Sequence, residues 1–299
     1  SESAAPSASA SAGASTSAVA GETGTIRIGS KNFTEQFLLA EMYAQVLEAN
    51  GFEVDREGIG LDNETIAHQA LLNGDIDLYP EYVATALQAI LEQDLPTPPA
   101  REQIYTAVKD AYANLDPSLA VLQPSGFEDN QALAMRRERA EELGISTYSD
   151  LSTRAGELVL GGPAEFFERP DGVRGLQEAY GGFQFQENRQ LTPALRYPEL
   201  EQGNVDVIVA FTTDGQLSDE QFLVLEDDKQ FYPPYQVAPI VRQDVLDRSP
   251  QIADLLNGVT AKLTEDETMA ALNFAVDGPD GREVEDVARE FLQEQGLVQ

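Results

Sequence analysis

Apolar positions along the chain follow two alternating rhythms. Phe37, Leu38, Met42, Val46 and Leu47 fall one and four apart, the spacing of one helix face, and Asn50-Gly51 ends the run. That predicts a helix over 34–50, with Asn32 and Glu35 as its capping box. Before it, 25–29 reads as a strand, and after it 52–56 reads as another. Helix and strand then continue to alternate: helix 63–73 closed by Gly74, strand 76–79, and helix 83–91. A proline-marked loop at Pro96, Pro98 and Pro99 leads to helix 101–114. The end of the chain reads as three helices, 252–263, 265–276 and 282–295, the second capped by Thr264 with Glu267. These pack back on the first part of the chain. Strands alternating with helices imply a parallel-rich sheet covered on both faces.

One stretch of this pattern occurs twice. Leu72-Asn73-Gly74-Asp75-Ile76-Asp77-Leu78 is followed by Tyr82, eight residues after its glycine. Glu201-Gln202-Gly203-Asn204-Val205-Asp206-Val207 is followed by Phe211, eight residues after its glycine. Upstream, 25–30 and 157–162 both read as a strand running into a glycine turn. Two lobes of like α/β build explain the repetition, with Tyr82 and Phe211 on opposite walls of a cleft. Gln123-Pro124-Ser125-Gly126 and Phe231-Tyr232-Pro233-Pro234-Tyr235 read as the two crossings between lobes. The expected division is a Ser/Ala-rich linker over 1–22, lobe 1 over 23–126 and 234–299, and lobe 2 over 127–233.

Charge narrows the function. Nineteen Lys and Arg face 52 Asp and Glu, a formal net charge of −33 in 299 residues. Nucleic acid needs a basic footprint, so it is not an expected partner. Self-repulsion of such a surface favours a soluble monomer, and screening by a saline medium would relieve its cost. No cysteine is present, which excludes disulfides and thiolate metal sites. The first twenty residues are almost all Ser, Ala, Gly and Thr, too polar to build a core. They read as a flexible linker with a reach of roughly 25 Å, which composition explains equally as a membrane tether or as a terminus without function.

Catalytic machinery is hard to find. The single histidine, His68, lies inside a helix, where it is ordinarily solvated or satisfied, and zinc is improbable with one His and no Cys. Acids are so plentiful that no pair stands out for a hydrolase, and no phosphate-binding glycine motif occurs. No catalytic residue, metal or cofactor is expected. What remains is aromatic rings and a few cations at strand ends, where α/β sheets bind ligands. Tyr82 and Phe211 hold such positions, and Tyr235 follows the second crossing. Ring faces attract a quaternary ammonium, which cannot be hydrogen-bonded, by about 0.5–2 kcal/mol per contact. For any single ring, core packing is the better explanation. Lys31 follows the first glycine turn, and Arg169 sits in Phe166-Phe167-Glu168-Arg169-Pro170-Asp171-Gly172.

At these residues the chain resembles the osmoprotectant-binding proteins of ABC importers, the glycine betaine/choline-binding family. Gly29-Ser30-Lys31-Asn32-Phe33-Thr34-Glu35-Gln36 is similar to that family's opening. The likeness continues in order through Asp77-Leu78-Tyr79-Pro80-Glu81-Tyr82-Val83-Ala84-Thr85, Arg169-Pro170-Asp171-Gly172, Val207-Ile208-Val209-Ala210-Phe211-Thr212-Thr213-Asp214, and Leu225 to Tyr235. It ends in Phe291-Leu292-Gln293-Glu294-Gln295-Gly296-Leu297-Val298. The resemblance implies a type II two-lobe periplasmic-binding-protein fold with two hinge crossings, closing on its ligand and delivering it to a membrane permease. It implies no enzyme activity, an extracytoplasmic location, and a tether behind a lipidated cysteine. Carried over by position, Tyr82, Phe211 and Tyr235 form an aromatic cage, and Lys31, Thr85 and Arg169 form a carboxylate clamp. Asp129 offers a backbone carbonyl. Gln131 stands where relatives often carry a cage tyrosine, and Phe211 also replaces a common tyrosine. A hydroxylated osmolyte, an amino acid or a sulfonate is the alternative ligand on this fold.

Overall fold

A computed structural model describes residues 24–95, 99–279 and 281–299 of the chain. The linker expected over 1–22 lies outside them. The strands are β1 (Ile26–Lys31), β2 (Val54–Leu61), β3 (Leu78–Tyr82), β4 (Leu119–Val121), β5 (Gln131–Arg136), β6 (Val159–Gly162), β7 (Glu187–Gln190), β8 (Val207–Phe211), β9 (Phe222–Val224) and β10 (Val237–Arg242). They form two five-stranded sheets, ordered β2-β1-β3-β10-β4 and β7-β6-β8-β5-β9. In each sheet the first three strands are parallel, and the fourth runs antiparallel to the third. Position by position, the two sheets have the same plan.

The repeated phrase does the same work in both. Asp77 Oδ2 accepts from Arg27 N at 2.8 Å, and Asp77 N donates to Arg27 O at 2.7 Å. In the other sheet Asp206 Oδ2 accepts from Val159 N at 3.0 Å, and Asp206 N donates to Val159 O at 2.9 Å. Each aspartate thus fastens the start of the neighbouring parallel strand. Gly74 and Gly203 both lie at positive φ, 77° and 72°, where a side chain would be strained.

The upstream glycines were expected to end their strands, but they lie inside them. A Cβ on Gly29 would come within 2.4 Å of Ile76 Cδ1, and one on Gly161 within 3.1 Å of Val205 Cγ1. The apolar residue of each phrase therefore rests on a strand glycine, and β1 runs on to Lys31. Both predicted capping boxes are also absent. The residue before helix Thr34–Ala49 is Phe33, extended at φ −157° with no side-chain cap, which leaves its ring free to reach the cleft. Glu265 precedes helix Asp266–Asp277, again without a side-chain cap. Thr264 is instead pressed against the crossing, 2.8 Å from where a Cβ on Gly126 would sit. The helix expected over 83–91 is one α-turn, Val83–Thr85, widened into a π-helical turn, Ala86–Ile90.

The first sheet shares its core with the C-terminal helices: Ile252, Leu256, Met269, Phe291 and Leu292 join Ile28, Leu78 and Ile240. The second sheet is covered on both faces, by a cluster around Leu133, Tyr148 and Phe183 and by another around Ala134, Tyr197 and Ile208. Between the sheets the chain crosses twice, side by side. Glu128 bridges Gln236 antiparallel, and Asp129 N donates to Tyr235 O at 3.1 Å. No described helix is long and apolar enough to cross a membrane.

Candidate functional site

The carboxyl ends of β3 and β8 face one another across a cavity of about 620 Å³, within the range of small-molecule sites, roughly 300–1,000 Å³. Lys31, Tyr82, Thr85, Asp129, Gln131, Arg169, Phe211 and Tyr235 all line it. Sheet register explains the convergence. Tyr82 ends β3 opposite Val237, and Phe211 ends β8 opposite Gln131. Both crossings therefore emerge beside both rings, carrying Asp129 and Tyr235. His68, on helix Glu64–Asn73, stacks at 5.3 Å on Tyr112 outside this lining, and burial lowers its pKa.

Each cation in the wall already has a carboxylate of the same lobe. Lys31 Nζ lies 2.5 Å from Glu81 Oε1, both buried, and 4.4 Å from the centroid of the Tyr82 ring. Burial pushes the Glu81 carboxyl up, against the pull of Lys31. Arg169 grips Asp171 with two bonds, Nε to Oδ1 at 2.7 Å and Nη2 to Oδ2 at 2.6 Å. Its remaining nitrogen, Nη1, reaches across the cleft to Glu64 Oε1 at 3.2 Å. Asp171 Oδ2 also accepts from Tyr235 Oη at 2.5 Å and from Gln131 Nε2 at 3.1 Å. Burial raises the Asp171 pKa, but Arg169 and Tyr235 more than offset it and hold the carboxyl below its usual value. Burial and the Asp171 charge push the Tyr235 phenol well above its usual range, so it donates. Thr85 is buried on the first-sheet side of the wall.

A third cation escaped the sequence reading. Arg196, at the start of helix Arg196–Glu201, is buried against Asp214 at 3.1 Å and lies 5.1 Å from the Phe211 ring centroid. Nothing in its local sequence marks it out; only the fold brings it beneath Phe211. Phe33 was also missed. Its ring lies nearly parallel to Tyr82, at 12° and 6.3 Å between centroids.

Two buried acids in the wall, Glu35 and Asp129, have no cation partner. Glu35 accepts from Tyr82 Oη at 2.6 Å and from Asn273 Nδ2 at 3.2 Å. Asp129 accepts from Thr213 Oγ1 at 2.7 Å. Burial raises the Glu35 pKa despite these donors, and burial together with the Glu35 charge raises Asp129 well above the usual carboxyl range. A glutamate in the first turn of a helix buried along most of its length was the available signal. Among the described residues, no group of three or more His, Cys, Asp or Glu could hold a metal ion. Chemically, the site offers ring faces and surplus negative charge, with its cations already neutralised.

Residues 24–294 match the family model described as the substrate binding domain of ABC-type glycine betaine transport systems. The chain is 36% identical to a glycine-betaine-binding protein of Pseudomonas aeruginosa, over 92% of this chain and 89% of that one. It is 32% identical to the ergothioneine transport permease/ergothioneine binding protein EgtU of Helicobacter pylori, over 90% of this chain but only 47% of that longer protein. A crystal structure titled as a glycine betaine/carnitine/choline ABC transporter superposes with a TM-score of 0.74 at 26% identity, covering 91% of this chain and 99% of that one. The architecture is thus that of the type II periplasmic-binding proteins. The chain belongs to the substrate-binding family of glycine betaine-type ABC importers, extracytoplasmic proteins that carry a small solute to a membrane permease.

Proposed function

We propose that the cleft captures a quaternary-ammonium compatible solute of the glycine betaine, proline betaine or choline type and hands it to the permease without chemical change. The observation that carries this reading is the joint lining of one cavity by rings from both sheets, Tyr82 and Phe33 on one side and Phe211 on the other, with Tyr235 at the crossing. A methylated ammonium makes no hydrogen bonds, so ring faces and diffuse negative charge are what can hold it. Two lobes, 23–126 with 234–299 and 127–233, would close about the paired crossings, with the protein acting as a monomer tethered by a lipidated N-terminal linker. Closure expels water and strengthens every charge interaction inside.

A clamp on the solute's carboxylate would use Lys31, Thr85 and Arg169. In this arrangement Lys31 and Arg169 hold Glu81 and Asp171, so a solute carboxylate must displace a protein carboxylate or accept from groups left over, such as the Thr85 hydroxyl. Ergothioneine, itself a trimethylammonium betaine, is the second reading. It is favoured by a cavity larger than a small betaine fills and by the EgtU relative. Titration calorimetry of the purified, ligand-stripped protein with glycine betaine, choline and ergothioneine tests both. Saturable one-to-one binding of one of them is expected. A folded protein that takes none of the three overturns the reading.

A further inference from the structure

The cavity is built for more positive charge than the protein supplies. Its three wall cations, Lys31, Arg169 and Arg196, are each neutralised by an acid, Glu81, Asp171 and Asp214 respectively. Glu35 and Asp129 are only 3% and 5% exposed and have only neutral donors: the hydroxyls of Tyr82 and Thr213 and the amide of Asn273. Asn273 is 6% exposed and lines the same cavity. Its Nδ2 is committed to Glu35 and to Thr213 O at 2.9 Å, and its buried Oδ1 has no partner. An acceptor left over beside two carboxylates points the same way as the charges.

We propose that Glu35 and Asp129 together form the subsite for the solute's positive charge, and that the preferred solute carries a net positive charge rather than being a zwitterion. The inference rests on the proposed capture of a quaternary ammonium in this cavity. The pair bridges the lobes. Glu35 and Tyr82 belong to the first-sheet side, Asp129 to a crossing, and Thr213 follows β8 of the second sheet. Asn273, on helix Asp266–Asp277, joins Glu35 to Thr213. A solute drawn to both acids therefore also favours the closed arrangement.

Protonation follows from the same geometry. The charged and titratable groups facing the pair are Tyr82, a phenol at neutral pH, and the Asp214–Arg196 ion pair. Burial and mutual repulsion raise both carboxyls, so without solute the pair holds a proton more tightly than a solvated carboxylate does. When a cation docks, the O–H bond breaks, the proton passes to the buffer, and the solute replaces its charge. Because the two acids titrate as a unit, the released proton belongs to the pair and not to either residue.

The test is choline binding by calorimetry in phosphate and in Tris, buffers of different ionisation enthalpy, at pH 6 to 8. Glycine betaine and the uncharged carbon isostere 3,3-dimethylbutanol serve as comparisons. The expected result is a buffer-dependent choline enthalpy that reports proton release, affinity rising with pH, and choline bound more tightly than glycine betaine. The isostere should bind without releasing a proton. Glu35→Gln and Asp129→Asn, checked for folding by thermal melts, should abolish proton release. They should lower choline affinity roughly ten-fold, the scale of losing one favourable buried charge interaction, and leave the isostere unchanged. Choline enthalpies independent of buffer, or glycine betaine bound more tightly than choline, overturn the subsite while leaving the proposed function standing. Absence of binding by every quaternary ammonium overturns both.

Discussion

Glu35, in the cavity wall, and Asp171, which holds the wall residue Arg169, are both buried acids, yet their environments push them in opposite directions. Asp171 has a bidentate arginine and a phenol, which hold its pKa down. Its contribution to stability is present above the ordinary carboxyl pKa of about 4 and is lost only as pH falls through its lower folded value. Glu35 has no cation, and burial holds its pKa up. Its favourable contribution is complete below about pH 4 and is lost as pH rises through the raised folded value. Solute-free Glu35→Gln should therefore melt higher than the parent at pH 8, and the gap should shrink as the pH is lowered toward 5. A constant gap across that range would show that Glu35 is ionised throughout. Arg169→Ala tests the other environment. It leaves Asp171 in a buried site with only Tyr235 and Gln131 as donors and takes the partner from Glu64, so it should cost about 3–5 kcal/mol in urea unfolding, as breaking a buried pair does. A loss below about 1 kcal/mol would mean that water takes the place of the guanidinium.

Strand and helix placement explains why the two copies of the phrase were readable and the rest of the site was not. Asp77 and Asp206 each tie the first residues of a parallel neighbour, so the phrase is a folding instruction that any local reading can find. Asp77→Ala and Asp206→Ala should each destabilise by about 1–3 kcal/mol, the cost of a buried N–H left unpaired. Asp77 should cost more, because it also holds the Arg27 side chain. Solute affinity at low denaturant should be unchanged in both, and a large loss of affinity would assign the phrase to the site. Tyr82 and Phe211 were legible because they close these phrases, and Lys31 and Arg169 because they lie in stretches that follow the family pattern. Arg196 and Asn273 were not legible, since each reaches the cavity only through tertiary placement. The capping boxes at Asn32 and Thr264 failed for a related reason: Asn32 lines the cavity and Thr264 packs against a crossing, placements that local helix-start chemistry does not anticipate. The seam between lobes makes the point again. A Cβ on Gly215 would fall 2.6 Å from the backbone nitrogen of Phe274 on the opposite side. Gly215→Val should prop the lobes apart, lowering solute affinity about ten-fold or more and enlarging the radius of gyration in X-ray scattering with saturating solute. Unchanged affinity and scattering would show that the seam can yield.

Across the whole molecule, acids exceed bases by 33, so most surface carboxylates lack a cation whatever the local geometry. Pairs such as Arg56 with Glu41 and Glu48, or Arg282 with Glu290, neutralise only a few. The remainder repel over distances set by ionic strength, about 10 Å at 0.1 M salt and 3 Å at 1 M. Folding brings these charges closer, so screening should favour the folded state. Raising NaCl from about 0.1 to 1 M should therefore raise the melting temperature of the solute-free protein, and potassium chloride should do the same, since screening does not depend on which monovalent cation supplies it. The cavity should behave differently. Its charges are buried, are screened much less, and attract a cation that must compete with salt only before the lobes close. Solute affinity should thus fall less steeply with salt than the association rate, which is governed by the long-range field. Stopped-flow and equilibrium titrations at matched salt concentrations separate the two. Parallel losses in rate and affinity would place the solute's charge at the surface field, and a loss confined to the rate would place it inside the closed cleft, against Glu35 and Asp129.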